Sequence, residues 1–360
     1  MKVRKLFLPL LTLAVVTGLS VPFICPGLAA RAADPARSTV GGNGPTKDEL
    51  DDKTKAAVKK GLDYLKTRVQ VNGQFADEGG NSVAIVSLAG IAFLANGSMP
   101  DDGPYGDVTT KILGYVLDNC QPSGLVSSAS NGEPMYCHGF ATLFLSEVYG
   151  MSHREDVGEK LRNAIRLIVD TQYKAVKNQG GWRYQAMQTP PDISVTICQV
   201  MALRAARNAG VEVPNSTIQD AIDYVRASQL GDGGFCYTPN SGGSAFPRSA
   251  AGVACLYYMR TGEQFGDEIQ RGVAYLKSQT ASNLAFNQGN YFYGNYYATQ
   301  AMFMYGGDAW DGYWPMIRND LLNKQGRDGA WTGETGPVYC TSMALIMLQV
   351  PNRLLPILQK

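Results

Sequence analysis

The chain has 360 residues, 32 lysines and arginines against 31 acidic residues, and 45% hydrophobic content. A near-neutral chain without a dense basic tract lacks the electrostatic footprint of a nucleic-acid binder. Its length allows a large core, so its seven cysteines are not needed as disulfide staples.

Residues 1–32 read as a secretory signal peptide. MKVRK is basic, residues 6–30 are mostly apolar but interrupted by Pro9, Gly18, Pro22, Pro26 and Gly27, and Ala30-Arg31-Ala32 offers small residues for cleavage. Cleavage removes Lys2, Arg4, Lys5 and Arg31 but no acid, which turns the formal charge from +1 to −3. The mature protein is expected in the periplasm or secreted, with no transmembrane segment. Residues 33–50 lack any apolar period and read as a flexible lead-in, and residues 51–360 form the folded domain. Cys198 and Cys255 sit within apolar helical runs, where a reduced cysteine acts as a small hydrophobe.

Two kinds of helix alternate through that domain. Amphipathic helices are predicted near 52–69, 107–119, 154–171, 216–228, 267–278 and 314–324, with stripes such as Val58, Leu62, Leu65, Val69 and Val157, Leu161, Ile165, Ile168 on one face. Ser152 with Glu155 and Ser216 with Gln219 match capping boxes. Between them run segments that are apolar or small nearly all round, at 82–95, 138–149, 193–206, 248–259, 295–304 and 338–350. Helices with so little wet face are buried on most sides.

The junctions repeat too. Gln70, Gln121, Gln172, Gln229, Gln279 and Gln325 each end an amphipathic segment, giving a helical-hairpin repeat of about fifty residues. Glycines and an aromatic (Phe75, Trp182, Phe235, Trp331) follow four of them. An open row of hairpins would expose its two ends. Closure into a ring hides the apolar helices, so the fold class is all-α: an (α/α)6 toroid of six helical hairpins, with inner apolar and outer amphipathic helices around a central cavity.

At Gln229-x3-Gly233-x-Phe235 and Gln325-x3-Gly329-x-Trp331 the chain resembles the QW repeats of squalene and oxidosqualene cyclases, within the wider group of prenyltransferase-like α/α toroids. Gly61-x2-Tyr64-Leu65 and Gly272-x2-Tyr275-Leu276 resemble the first half of the same repeat. The resemblance runs from about residue 52 to the C-terminus, and it implies the toroid together with three chemistries that the residues test. Squalene-cyclase-like enzymes protonate an alkene from a DxDD motif; here Asp192 keeps one carboxylate while Ser194 and Val195 replace the others. Protein-prenyltransferase-like sites hold zinc with Asp, Cys and His, for which Cys137, His138, Asp192 and Cys340 are the candidates, without the Asp-x-Cys pair. The thioester motif of complement-like relatives is missing.

In a closed ring the beginnings of the inner helices share one mouth, which makes His138, Asp192, Arg248, Tyr296 and Cys340 the candidate ligand-binding residues. Capping is the competing role, with Asp192 as an N-cap after Pro190-Pro191. Tyr291, Phe292, Tyr293, Tyr296 and Tyr297 form an aromatic cluster that either lines the cavity or packs helices together. The leading expectation is a toroid that binds an apolar ligand, a polymer or a protein partner, with no resident cofactor. The alternative is a divergent terpene cyclase or prenyltransferase that uses Asp192 as acid, or zinc held by Cys137, His138 and Cys340.

Overall fold

Apolar periodicity lays down a run of paired helices, and the computed structural model describes them over residues 49–76, 82–128, 132–259, 266–284, 290–333 and 335–359. The chain divides into a unit of Met1–Asn43 and a unit of Gly44–Lys360, and every described residue belongs to the second. The expected signal peptide and nearly all of the lead-in lie outside the described residues. In chain order the hairpins are α1 (Asp52–Arg68) with α2 (Val83–Leu94), α3 (Gly106–Asp118) with α4 (Pro134–Val148), and α5 (Asp156–Thr171) with α6 (Ile193–Asn208). They continue with α7 (Asn215–Ala227) and α8 (Phe246–Met259), α9 (Gly266–Asn283) and α10 (Tyr291–Tyr305), and α11 (Gly307–Lys324) and α12 (Pro337–Gln349). No strand occurs among the described residues beyond isolated bridges that cross turns, such as Gln229 with Phe235.

The even-numbered helices form a closed inner ring. Each packs on the next from α2 to α12, and α12 returns to pack on α2. Eleven of the twelve residues of α2 are buried, whereas α5 buries one stripe of Val157, Leu161, Ala164, Ile165 and Ile168, so sequence polarity alone sorts inner from outer helices. The chain is an (α/α)6 toroid.

The turns after the outer helices tie each hairpin to the next. In the turn after α7, Leu230 N–H donates to Gly234 O at 2.8 Å and Gly233 N–H to Leu230 O at 3.0 Å; after α11, Gly326 and Gly329 repeat this at 2.8 and 3.0 Å. Gly233 and Gly329 hold φ of +87° and +97°, and a Cβ there would sit 2.4 Å from Arg271 O and 2.5 Å from Lys60 O. Only glycine fits such a close approach at positive φ. A Cβ on Gly73 would likewise meet Lys111 O, on Gly124 Asn163 O and on Gly180 Asp220 O, so these five turns press on the following outer helix. At Gly329 that neighbour is α1, and the ring closes there.

A glutamine reinforces three of these seams. Gln172 Nε2 donates to Thr217 O of α7, Gln229 Nε2 to Glu268 O of α9, and Gln325 Nε2 to Ala57 O of α1, at 2.8, 2.8 and 2.9 Å. The same amides also hold Gly180 O, Gly233 O and Gly329 O of their own turns. The hydrogen bonds shift the expected register in the first two repeats. Gln70 N–H pairs with Gln74 O and Gln121 N–H with Leu125 O, as Leu230 does with Gly234, so Val69 and Cys120 occupy the positions held later by Gln229 and Gln325. Those two turns keep the full geometry without the glutamine.

Three other boundaries differ from the sequence expectation. With no glycine stop at Gln279, α9 runs on to Asn283, and Lys324 Nζ donates to Leu284 O at 2.8 Å across that seam. Helix α11 starts at Gly307 rather than 314, because Trp310 is buried and stacks on Trp314 at 4.9 Å, which outweighs the helix-weakening Gly312 and Pro315. Neither capping box forms: α5 starts at Asp156, with Ser152 Oγ accepting instead from Arg154 N–H, and Ser216 lies inside the first turn of α7.

Two short 3-10 turns, Val350–Asn352 and Pro356–Leu358, cross the C-terminal ends of the inner helices. They pack on α10 and α6, Asn352 Nδ2 donates to Ala95 O at 3.2 Å, and Val350, Leu355, Ile357 and Leu358 are buried. The chain's own tail therefore covers that end of the ring.

Candidate functional site

At the opposite end, where the inner helices begin, lies a cavity of about 530 Å³. All six inner helices reach it: Ile85 and Leu88 from α2, Tyr136, Cys137 and Phe140 from α4, Ser194 from α6, Arg248 from α8, Tyr293 from α10 and Tyr339 from α12. Tyr237, Glu133, Asn290 and Thr335 stand at its edge on the segments that enter these helices. Ile85, Tyr136, Arg248, Tyr293 and Tyr339 are each the third residue of their helix. That position recurs in five of the six inner helices, while α6 contributes Ser194, its second residue. The lining combines aliphatic groups, tyrosine rings, one guanidinium and one carboxylate.

A hydrogen-bonded wall runs along the α4, α6 and α10 side. Asp192 caps α6: its Oδ1 accepts from Ser194 N–H at 2.9 Å, Val195 N–H at 3.0 Å and Ser194 Oγ–H at 2.5 Å. Ser194 Oγ in turn accepts from the Tyr136 hydroxyl at 2.8 Å, and Ser194 O accepts from the Tyr293 hydroxyl at 3.1 Å. The Tyr184 and Tyr237 hydroxyls bond to each other, and the Arg183 guanidinium lies over both rings, 5.3 and 5.8 Å from their centroids. Burial raises the Asp192 pKa, against the hydrogen bonds from Ser194 and Val195, which lower it. Burial also raises the phenols of Tyr136 and Tyr293, so these lining tyrosines stay protonated in neutral water.

Among the residues expected at the mouth, Arg248 lines the cavity, with its Nη2 donating to Gly243 O at 2.8 Å and its Nε buried without a partner. Asp192 stands behind Ser194 as the N-cap, outside the lining itself. His138 is fully buried and turned outward. Its Nδ1 accepts from Val126 N–H and its Nε2 donates to Ala164 O, both at 3.1 Å. Thr196, Ser249 and Thr341 accept in the same way from Trp182, Phe235 and Trp331 N–H, so His138 clips the turn of its own repeat. Burial holds its pKa down to about 4.

Tyr296 is buried deeper, edge-on to Phe140 at 6.4 Å and to Tyr297 at 4.8 Å. Cys340 is buried beside Gly333, one residue past the lining Tyr339. Cys137 reaches the cavity, with its sulfur 3.6 Å from Ser82 Oγ. Cys137, His138 and Cys340 do not converge, and among the described residues no three His, Cys, Asp or Glu side chains form a metal-sized group. Of the aromatic cluster, Tyr293 lines the cavity, while Tyr291 turns outward to bond Asp320 and Tyr296 and Tyr297 pack inside. The sequence reading missed Tyr136, Ser194, Tyr237, Tyr339 and Glu133. The third-position rule would have found two of them, Tyr136 had α4 been started at Pro134 instead of four residues later, and Tyr339 had α12 been started at Pro337 instead of one residue later.

No protein-family model matches the sequence, and no curated protein matches it. Solved structures of similar fold do. A glycoside hydrolase family 76 mannosidase from Bacteroides thetaiotaomicron aligns with a TM-score of 0.61 at 11% identity, over 82% of this chain and 97% of that one. An inactive variant of the family 76 α-1,6-mannanase of a Salegentibacter species, in complex with α-1,6-mannotetrose, aligns at 0.61 and 8% identity over 84% and 99%. The type II terpene cyclase MstE from Scytonema, in complex with geranylgeranyl dihydroxybenzoate, aligns at 0.55 and 12% over 86% and 99%. At these identities the likeness is one of fold, an α/α toroid shared by enzymes of different chemistry.

Proposed function

We propose that this protein is a ligand-binding toroid, acting in the periplasm or outside the cell, whose cavity holds one amphipathic small molecule of isoprenoid size. The observation that carries the reading is the cavity itself: six helices converge on one space of about 530 Å³, with Ile85, Leu88 and Phe140 among its apolar lining and Glu133, Ser194 and Arg248 among its polar groups. A concave, largely apolar space with a few placed polar groups is the usual form of a small-molecule site. Similar folds hold an isoprenoid in MstE and a saccharide in the Salegentibacter mannanase, which supports small-molecule binding in general.

The residues favour binding over either neighbour's chemistry. Glycoside hydrolysis in its common form uses two carboxyl groups that flank the bond, and Glu133 is the one carboxylate among the described lining residues. Alkene protonation needs a strong acid at the cavity surface. Asp192 sits behind Ser194, and burial raises its pKa over the opposing pull of three donors on Oδ1, which makes it a weaker acid than a free carboxyl group.

One observation supports the cyclase or prenyltransferase alternative: Asp192 Oδ2 is buried with no partner, behind a wall that the cavity contacts. Farnesol, geranylgeraniol, squalene and α-1,6-mannotetraose are the discriminating ligands, assayed by calorimetry and by mass spectrometry of products and of lipid extracted with the purified protein. Saturable binding of an isoprenoid alcohol without turnover supports the proposal. Cyclised product, lost in Asp192→Asn, establishes the alternative, and mannotetraose binding alone refutes both.

A further inference from the structure

The cavity wall built from α4, α6 and α10 has its hydroxyl protons committed. Ser194 Oγ donates to Asp192 Oδ1 at 2.5 Å, which leaves it only lone pairs, and Tyr136 fills one of them with its own proton at 2.8 Å. Tyr293 gives its proton to Ser194 O at 3.1 Å, and a carbonyl can only accept. Protonation of Asp192 would not reverse this chain: Oδ1 already takes two backbone N–H groups, so an added proton falls on Oδ2. The phenolic oxygens of Tyr136 and Tyr293, both lining the cavity, therefore present lone pairs to whatever enters. Elsewhere around the same cavity Arg248 supplies N–H donors, with Nε buried and unpartnered, and Glu133 supplies a second acceptor.

We propose that Tyr136 and Tyr293, with their protons locked onto Ser194 and Asp192, make the cavity selective for a ligand whose polar end donates a hydrogen bond: an alcohol, in preference to an aldehyde or ether of the same skeleton. The inference rests on the amphiphile-binding reading above and narrows its ligand class. A hydroxyl satisfies both sides, donating to a tyrosine and accepting from Arg248, whereas an aldehyde can accept from Arg248 but leaves the tyrosine lone pairs unmet. A site built for a hydroxyl disfavours the analogue that lacks the donor, because desolvated groups are left unpaired. Asp192 is a positioning residue here: it lies outside the lining and, by holding the Ser194 proton, fixes the direction of the Tyr136 bond, while Ser194 itself lines the cavity.

The test compares farnesol, farnesal and farnesyl methyl ether by isothermal titration on the folded protein, with Tyr136→Phe and Ser194→Ala beside wild type. Wild type is expected to bind farnesol about tenfold or more tightly than the other two, the gain of one net hydrogen bond. Tyr136→Phe removes one of the two phenolic acceptors and narrows the farnesol preference, leaving Tyr293 to hold the remainder. Ser194→Ala releases the Tyr136 proton, so farnesal gains and the ratio narrows or inverts, an outcome that looser packing would not produce. Equal wild-type affinities for all three overturn the selectivity while the amphiphile reading stands, as does a preference that neither substitution narrows. If none of the three binds, the amphiphile reading fails and takes this inference with it.

Discussion

Closure of the ring at Gly329 is open to a direct test by Gly329→Ala. The residue holds φ of +97°, and the added Cβ would lie 2.5 Å from Lys60 O, 2.9 Å from Lys60 C and 3.0 Å from Lys60 Cγ. Backbone is the nearest obstacle, so relief requires α1 itself to retreat by several tenths of an ångström. An L-residue in that backbone region costs about 1–3 kcal/mol. Retreat of α1 also stretches the 2.9 Å bond from Gln325 to Ala57 O, worth about 1 kcal/mol. The total is about 3 kcal/mol. With about 2.1 cal/mol/K of unfolding entropy per residue, a domain of this size should melt about 4–5 °C lower. Gly231→Ala is the matched control: it lies in a sister turn with nothing within 4 Å of the added Cβ, and should shift stability by less than about 0.5 kcal/mol. Urea and thermal unfolding of both variants measure the difference. Equal midpoints for the two would refute the claim that this glycine is where the ring is sealed.

Four further outcomes are expected. Gln325→Ala removes both clasp bonds and should cost about 1–3 kcal/mol, whereas Gln70→Ala, at the offset position in the first repeat, should cost far less; urea midpoints decide. His138, held neutral with its pKa lowered from the ordinary 6.5 to about 4, gives stability that is complete above pH 6.5 and lost as pH falls towards 4, by about 3 kcal/mol. His138→Thr, which copies Thr196 and Thr341, should flatten that acid limb. Glu147, 3% exposed and raised by burial from 4.5 to about 8, has the opposite sign: its contribution is complete below pH 4.5 and is lost as pH rises to 8. Glu147→Gln should therefore gain relative stability from pH 5 to pH 8 in the same titration. Cys120, Cys137, Cys198, Cys236, Cys255 and Cys340 form no disulfide, so a chain starting at residue 33 should show six titratable thiols on denaturation without reductant; a shortfall of two would reveal a disulfide.

Much of the architecture is legible from residue pattern because burial is a local property of a helix. The segment 82–95 has no wet face and can sit only inside, while the Val157, Leu161, Ile165, Ile168 stripe can sit only at a boundary. The turn glycines are legible for a similar reason, since a repeated backbone shape demands a repeated residue. The Gln70 and Gln121 register was misjudged by one because the turn is held by backbone hydrogen bonds, which leave no mark in side-chain identity. The candidate site was less legible. Placing the start of α4 at residue 138 and of α10 at 295 put His138 and Tyr296 at the mouth, when one extra turn of helix before each brings Tyr136 and Tyr293 there instead.

The sequence by itself determined that the described residues form twelve alternating helices, which of them are interior and that glycine must stand in the corner turns, because each follows from the polarity or backbone freedom of neighbouring residues. Tertiary structure alone decided which side of each inner helix faces the cavity, that His138 clips a turn and that the tail covers the far end. Those outcomes depend on the angle at which six helices meet, a relation among residues far apart in the chain, and so on hydrogen bonds such as Tyr293 to Ser194 that span 99 positions.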